Sequence, residues 1–155
     1  MSSAIEQRLA ARGLELPDAP APAANYVPYT ISGKLLFVAG QLPFRKGEVA
    51  VGGRVGDDVT LEQGKEAARI CALNVLAQAK AACGGDLSRL ARCLKLGGFV
   101  SCGPSFTEHP AVINGASDLM VEAMGEAGQH ARFAVGCASL PRGAAVEVEA
   151  IFELA

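Results

Sequence analysis

The 155-residue sequence predicts an α+β domain of mixed α/β character, a single sheet with two helices on one face, in the order β-β-α-β-α-β-β. Three observations point there. Short apolar runs of strand character stand at 26–40 and again at 131–154. Two stretches between them repeat their apolar positions at helical spacing. A further strand-like run separates those two, so each helix has a sheet to cover.

In chain order, Ile5 to Arg12 reads as a short helix, with Ile5 and Leu9 on one face and Gly13 as its stop. "LPDAPAPAA", Leu16 to Ala24, shows no helical pattern and reads as an extended connector. Residues 1–21 are thus an extension and proline-alanine connector within one domain spanning 1–155. "YVPYTIS" and "KLLFVAG" are apolar runs split by Ser32-Gly33, a hairpin signal. Gly40 ends the second run, and Pro43 lacks the N–H that a central strand requires. Gly47 to Gly56 is rich in glycine and turn-like.

Thr60 and Gln63 have the spacing of a capping box and open the clearest helix, which Gly84-Gly85 stops after Cys83. Its positions Leu61, Ala68, Cys71, Ala72, Val75, Leu76 and Ala79 form one apolar face. "RLARCLKLGGFVSC", Arg89 to Cys102, reads as a strand with a bulge at Gly97-Gly98. A second helix follows Pro110, with Val112, Leu119, Met120 and Ala123 turned inward and Gly125 to Gly128 closing it.

Composition narrows the function classes. Half of the residues are apolar and 19% are charged, which describes a chain that folds around a core. A formal net charge of −2, without a basic stripe, argues against a nucleic-acid partner. No apolar run reaches membrane-span length and the N-terminus lacks a secretory apolar segment, so the expected location is cytoplasmic, with no membrane partner. The five cysteines are widely spaced and read as small buried hydrophobes. The two histidines, His109 and His130, fit no metal-ligand spacing, and no metal is expected.

The last stretch, "HARFAVGCASLPRGAAVEVEAIFEL", reads as two strands joined by a turn at Leu140 to Ala144. Sorting by parity puts Phe133, Val135 and Cys137 on one face of the first strand and Arg132, Ala134, Gly136 and Ala138 on the other. In the second strand Val146, Val148 and Phe152 oppose Glu147, Glu149, Ile151 and Glu153. The simplest hairpin register places both apolar sets under the helices, with Arg132, Ala134, Gly136, Glu147 and Glu149 sharing the open face. Arg132 then lies at the open end, far from Glu147, with Glu153 as its candidate ion-pair partner within the chain.

"NYVPYTISGKLLFVAGQLP", "NGASDL" and "HARFAVGCASLPRGAAVEVEAIFE" resemble the RidA/YjgF family of reactive-intermediate deaminases, formerly called endoribonucleases or translation inhibitors. The likeness runs from about Pro22 to Glu153, and the early helix resembles a subgroup with a longer N-terminus. The resemblance implies a chorismate-mutase-like fold and a homotrimer with clefts between subunits. It implies hydrolysis of enamines and imines such as 2-aminoacrylate to 2-keto acids and ammonia, without a cofactor. By the same resemblance, Arg132 binds the substrate carboxylate through its planar fork, and Glu147 orients or activates water. Tyr29, Gly40 and Asn114 match residues lining the cleft. Ala39 and Ala134 depart from the pattern, standing where relatives carry a serine and often a cysteine. The alternatives are a non-catalytic trimer that binds small carboxylates, and an endoribonuclease.

Overall fold

From the N-terminus the chain runs α1 (Ala4–Ala10), β1 (Tyr29–Ser32), β2 (Leu35–Gln41), β3 (Phe44–Arg45), β4 (Glu48–Val49), α2 (Leu61–Ala82), β5 (Leu90–Ser101), α3 (His109–Met124), β6 (Ala131–Cys137) and β7 (Val146–Leu154). The structure is a computed structural model and describes residues 2–22 and 24–155. Ala23, within the predicted connector, lies outside the described residues.

The five main strands lie in the order β1-β2-β7-β5-β6, and β3 and β4 form a separate small hairpin that the glycine-rich stretch did not announce. All main pairings are antiparallel except β5 with β6. The Thr60 and Gln63 capping box forms as predicted, each side chain accepting from the other's backbone N–H. The helices α2 and α3 cover one face, where Leu36, Leu76, Leu96, Leu119, Met120 and Phe152 are fully buried. Burial of each such side chain contributes roughly 1.5–3 kcal/mol.

The predicted terminal hairpin does not form, because β5 lies between β6 and β7. The physical reason is the α3 crossover, which returns the chain parallel to the strand it left. Residues 138–145 then cross the end of β5, where the Ser101 N–H donates to the Ala145 carbonyl. A short connection containing proline and glycine looks the same in sequence whether it closes a hairpin or steps over one strand.

This order reverses the predicted faces of β6. Gly97 stands opposite both Phe133 and Glu149, and Phe99 opposite both Val135 and Glu147. Residues directly opposite share a face, so Phe133 and Val135 join Glu147 and Glu149 on the open side. Leu96, buried by the helices, stands opposite Arg132, which therefore points to the α3 side along with Ala134 and Gly136. The small residues of β6 make room for the helix: a Cβ on Gly136 would stand 2.6 Å from His109 Nε2. The β7 parity holds as predicted, with Val146, Val148 and Phe152 buried.

Gly97 and Gly98 are not a bulge. They pair regularly with both neighbours, and the register shifts fall at Leu90/Arg92 and Cys93/Lys95. They are glycines because side chains crowd them: added Cβ atoms would meet the Phe133 ring at 2.5 Å and Ile113 at 2.6 Å.

The early helix docks on this framework, with Ile5 and Leu9 buried in the shared core. Its Glu6 caps Ser3 and pairs with Lys80 of α2. The Lys80 hydrogen bond first, and then the Ser3 N–H, hold the Glu6 carboxyl at about 2 against an ordinary 4.5. A depressed carboxylate pKa stabilises the fold above the unfolded value, and that contribution is lost as pH falls towards the folded value. Glu6→Gln is therefore expected to lower Tm slightly at pH 7, with the gap to wild type closing between pH 4.5 and about 2. Thermal melts followed by circular dichroism across that range check it.

Candidate functional site

Four of the five sequence-predicted site residues fall into two groups on opposite sides of the sheet, and the fifth, Tyr29, joins neither. Arg132 is half-buried on the edge strand β6, and its guanidinium reaches over to α3. Nη1 donates to Ser117 Oγ at 3.0 Å and Nη2 to the Pro110 carbonyl at 3.2 Å. Asn114 is exposed between these two positions of α3, since 110, 114 and 117 share one helix stripe. Arg132 and Asn114 are thus brought to one edge of the molecule. The guanidinium takes part in no ion pair among the described residues. The expected partner Glu153 instead lies in register with Leu35 and Arg92, with β5 between its strand and that of Arg132.

Ser117 was not picked out from the sequence, although the "NGAS" motif contains it. In sequence His130 stands out only as a histidine outside any metal-ligand spacing. The structure joins both to Arg132: Ser117 Oγ lies 2.9 Å from His130 Nε2, and His130 Nδ1 lies 2.6 Å from the Gly128 carbonyl.

Glu147 and Gly40 form the second group. A bulge between Val38 and Gln41 turns Gly40 towards β7, where a Cβ would stand only 2.8 Å from Glu147 Oε2. The carboxylate thus lies over bare backbone at Gly40, and a side chain there would have to displace it. Burial, and then the charge of Glu149, raise the Glu147 pKa above the ordinary carboxylate value. Beside them is a cavity of about 50 Å³ lined by Tyr26, Pro28, Gln41, Pro141 and the Pro20–Pro22 connector. That volume has room for water next to the carboxylate.

Two buried amides of α2 hold the wall of this cavity. Asn74 donates to the carbonyls of Leu42 and Phe44, both at 3.0 Å, and Gln78 donates to the Pro20 carbonyl at 2.6 Å. Neither was singled out in the sequence, yet a polar residue in an apolar helix face was the available signal. Tyr29 is not part of this wall. It stands opposite Val38 on the helix side and packs against the core.

Among the described residues no group of three His, Cys, Asp or Glu side chains gathers to hold a metal ion. Burial raises the thiol pKa of Cys71, Cys83 and Cys137, and that of Cys93 to about 12, so these thiols stay protonated at neutral pH. Ala134 packs on the core beside Arg132 while Cys137 occupies the other face, so the nearby thiol does not stand in at that position.

An antiparallel sheet with one parallel pair, made by a single helical crossover and covered on one face, is a chorismate-mutase-like fold. Residues 6–154 match the family model described as "YjgF/chorismate_mutase-like, putative endoribonuclease", and the chain belongs to that family, the RidA/YjgF group. It is similar to protein TCP17 of Trypanosoma cruzi, 50% identical over 154 residues, covering 99% of this chain and 96% of that protein. Among solved structures it is similar to Atu1372 of Agrobacterium tumefaciens, 54% identical with a TM-score of 0.93, covering 98% of this chain and 93% of that one. RidA of an Antarctic Psychrobacter is a more distant match, 28% identical with a TM-score of 0.63, covering 88% and 94% of the two chains.

Proposed function

We propose that the protein hydrolyses enamine and imine intermediates of the 2-aminoacrylate kind to 2-keto acids and ammonia, in clefts between the subunits of a homotrimer. The observation that carries this reading is Arg132, a pinned guanidinium with no acidic partner among the described residues. Two of its five N–H donors are committed to α3, which leaves three for a ligand carboxylate. Glu147 supplies the second half. It passes one proton from water to the imine nitrogen as the oxygen adds to the imine carbon, giving a carbinolamine. It then moves the carbinolamine hydroxyl proton to the same nitrogen as the C=O bond forms, the C–N bond breaks and ammonia leaves. Gly40 admits the ligand close to backbone, and Asn114 borders the arginine. Tyr29, matched by resemblance, acts by packing the strand that carries the cleft wall.

The two groups do not meet within one chain. Arg132 and Glu147 are about two strand spacings (~10 Å) apart across the sheet and three residues (~10 Å) along it, on opposite faces. A small substrate touching both therefore needs two copies. The open face provides the means, since it carries Phe37, Phe99, Phe133, Val135 and Ile151, with Phe37 and Val135 39% and 43% exposed. Val135→Glu is expected to convert a species of three chains into single chains, as measured by sedimentation equilibrium, and to abolish activity with it. A wild-type chain sedimenting as a monomer would sink the shared-cleft reading.

The function itself is tested by coupling the protein to a pyridoxal-phosphate dehydratase that generates 2-aminoacrylate in situ, and following keto acid and ammonia. Acceleration above the spontaneous rate is the expected result. Ala39 and Ala134, which place no side-chain polar atom near Gly40 or Arg132, favour a second reading: a trimer that binds small carboxylates without turning them over. Calorimetric binding of keto acids, together with no acceleration on several imino acids, would select it. The net charge of −2 argues against RNA cleavage.

A further inference from the structure

We infer that Ser117 and His130 are positioning residues for Arg132, forming a hydrogen-bonded chain of fixed polarity that holds its guanidinium in the carboxylate-binding pose. This rests on the carboxylate-anchor reading of Arg132 and extends it to two residues outside the cleft.

The polarity follows from which atoms can donate. The Gly128 carbonyl only accepts, so His130 Nδ1, 2.6 Å away, carries the proton. In the neutral ring Nε2 is then bare and accepts from the Ser117 hydroxyl at 2.9 Å. With its proton spent on His130, Ser117 Oγ presents its lone pairs to Arg132 Nη1 at 3.0 Å. The Pro110 carbonyl holds Nη2 from the other side of the Asn114 stripe. Without the imidazole the serine hydroxyl is free to rotate, and nothing keeps its lone pairs on the arginine. Ser117 comes from α3, Arg132 from β6 and His130 from the residue just before that strand, and the turn at Gly125–Gly128 sets the distance between them.

An arginine on an edge strand otherwise has many rotamers, and binding must freeze them. Fixing one beforehand removes that cost from the binding step, so the chain raises affinity without touching the ligand. A hydrogen-bonded series of one direction also polarises along its length and strengthens the last bond, the one to the guanidinium.

The test uses the full-length protein with pyruvate as the probe, by isothermal calorimetry. Ser117→Ala is expected to weaken pyruvate binding by about tenfold. His130→Asn keeps a donor for the Gly128 carbonyl but cannot reach Ser117, and the same loss is expected. The Ser117→Ala/His130→Asn pair is expected to be no worse than either alone, since both cut one chain. Ser117→Thr keeps the hydroxyl and is expected to restore most of the affinity. Nitrogen NMR of the wild type at pH 8 is expected to show His130 protonated on Nδ1.

Wild-type affinity in both single variants, with binding lost in Arg132→Ala, would overturn the positioning role and leave the carboxylate anchor standing. Unchanged binding in Arg132→Ala, or no pyruvate binding by the wild type, would overturn the anchor and the positioning role with it. An Nε2-protonated His130 would overturn the polarity on which the inference depends.

Discussion

Arg132→Ala is expected to lower kcat/KM on in situ 2-aminoacrylate by about 100-fold or more, with keto acid binding lost in parallel. Removing one partner of a desolvated, hydrogen-bonded charge pair costs about 2–5 kcal/mol, and each 1.4 kcal/mol is tenfold. Arg132→Lys keeps the charge but not the fork. It also loses the paired geometry that lets one side chain contact Ser117, Pro110 and a carboxylate together, so only partial recovery is expected. The fold should survive the change. The side chain is half-buried on an edge strand, and its two bonds link a charged donor to neutral acceptors, each worth at most about 1.5–3 kcal/mol. Full activity in a folded Arg132→Ala protein would remove the arginine from the mechanism.

Glu147→Gln is expected to have the second large effect, and it separates catalysis from stability by moving them in opposite directions. Loss of a general acid-base group costs about 100-fold or more in kcat. Pyruvate binding should persist, because Arg132 rather than Glu147 holds the carboxylate. Stability should rise at neutral pH. The Glu147 pKa is raised in the fold by burial and then by Glu149, so the folded state binds its proton more tightly than the unfolded one. Such a group leaves stability intact below the unfolded carboxylate pKa and subtracts from it as pH rises through the folded value. Glutamine has no such term. The variant should therefore melt above the wild type at pH 7 and converge on it below pH 4. A variant that melts lower at pH 7 would mean that the carboxylate is held by a partner that stabilises its charge. Retained turnover would take Glu147 out of the reaction.

The elements of local origin were legible in the sequence. The capping box at Thr60, the Gly84-Gly85 stop and the burial stripe of the long helix depend on residues within a few positions of each other, and they appear where predicted. The alternation in β7 likewise held, because a strand flanked on both sides keeps its parity whatever its neighbours are. The facing of β6 departs from expectation. Its alternation is visible in the sequence, but which parity faces the helices is set by its pairing with β5, a strand that ends thirty residues earlier, and not by a hairpin with β7.

For the candidate site, resemblance supplied Arg132, Glu147, Gly40 and Asn114 by position, and the structure supplied their surroundings. Gly40 and Glu147 share a cavity wall, and Arg132 and Asn114 share an edge, while Tyr29 belongs to the packing. The buried amides Asn74 and Gln78 were not visible as cavity supports, because their partners are backbone carbonyls 30 to 58 residues away.

The sequence by itself determined the five main strands and the helices, the inward stripe of each helix, and the separation of Arg132 from the alternate positions of its strand, Phe133 and Val135. Those follow from spacings of two to four residues, which backbone geometry converts directly into faces. Only the tertiary structure decided that β5 enters between the last two strands, and so that Arg132 turns to α3 while Glu147 looks out from the open sheet. Strand order is settled by a crossover helix and by which side chains can approach across the sheet, quantities that no local pattern encodes.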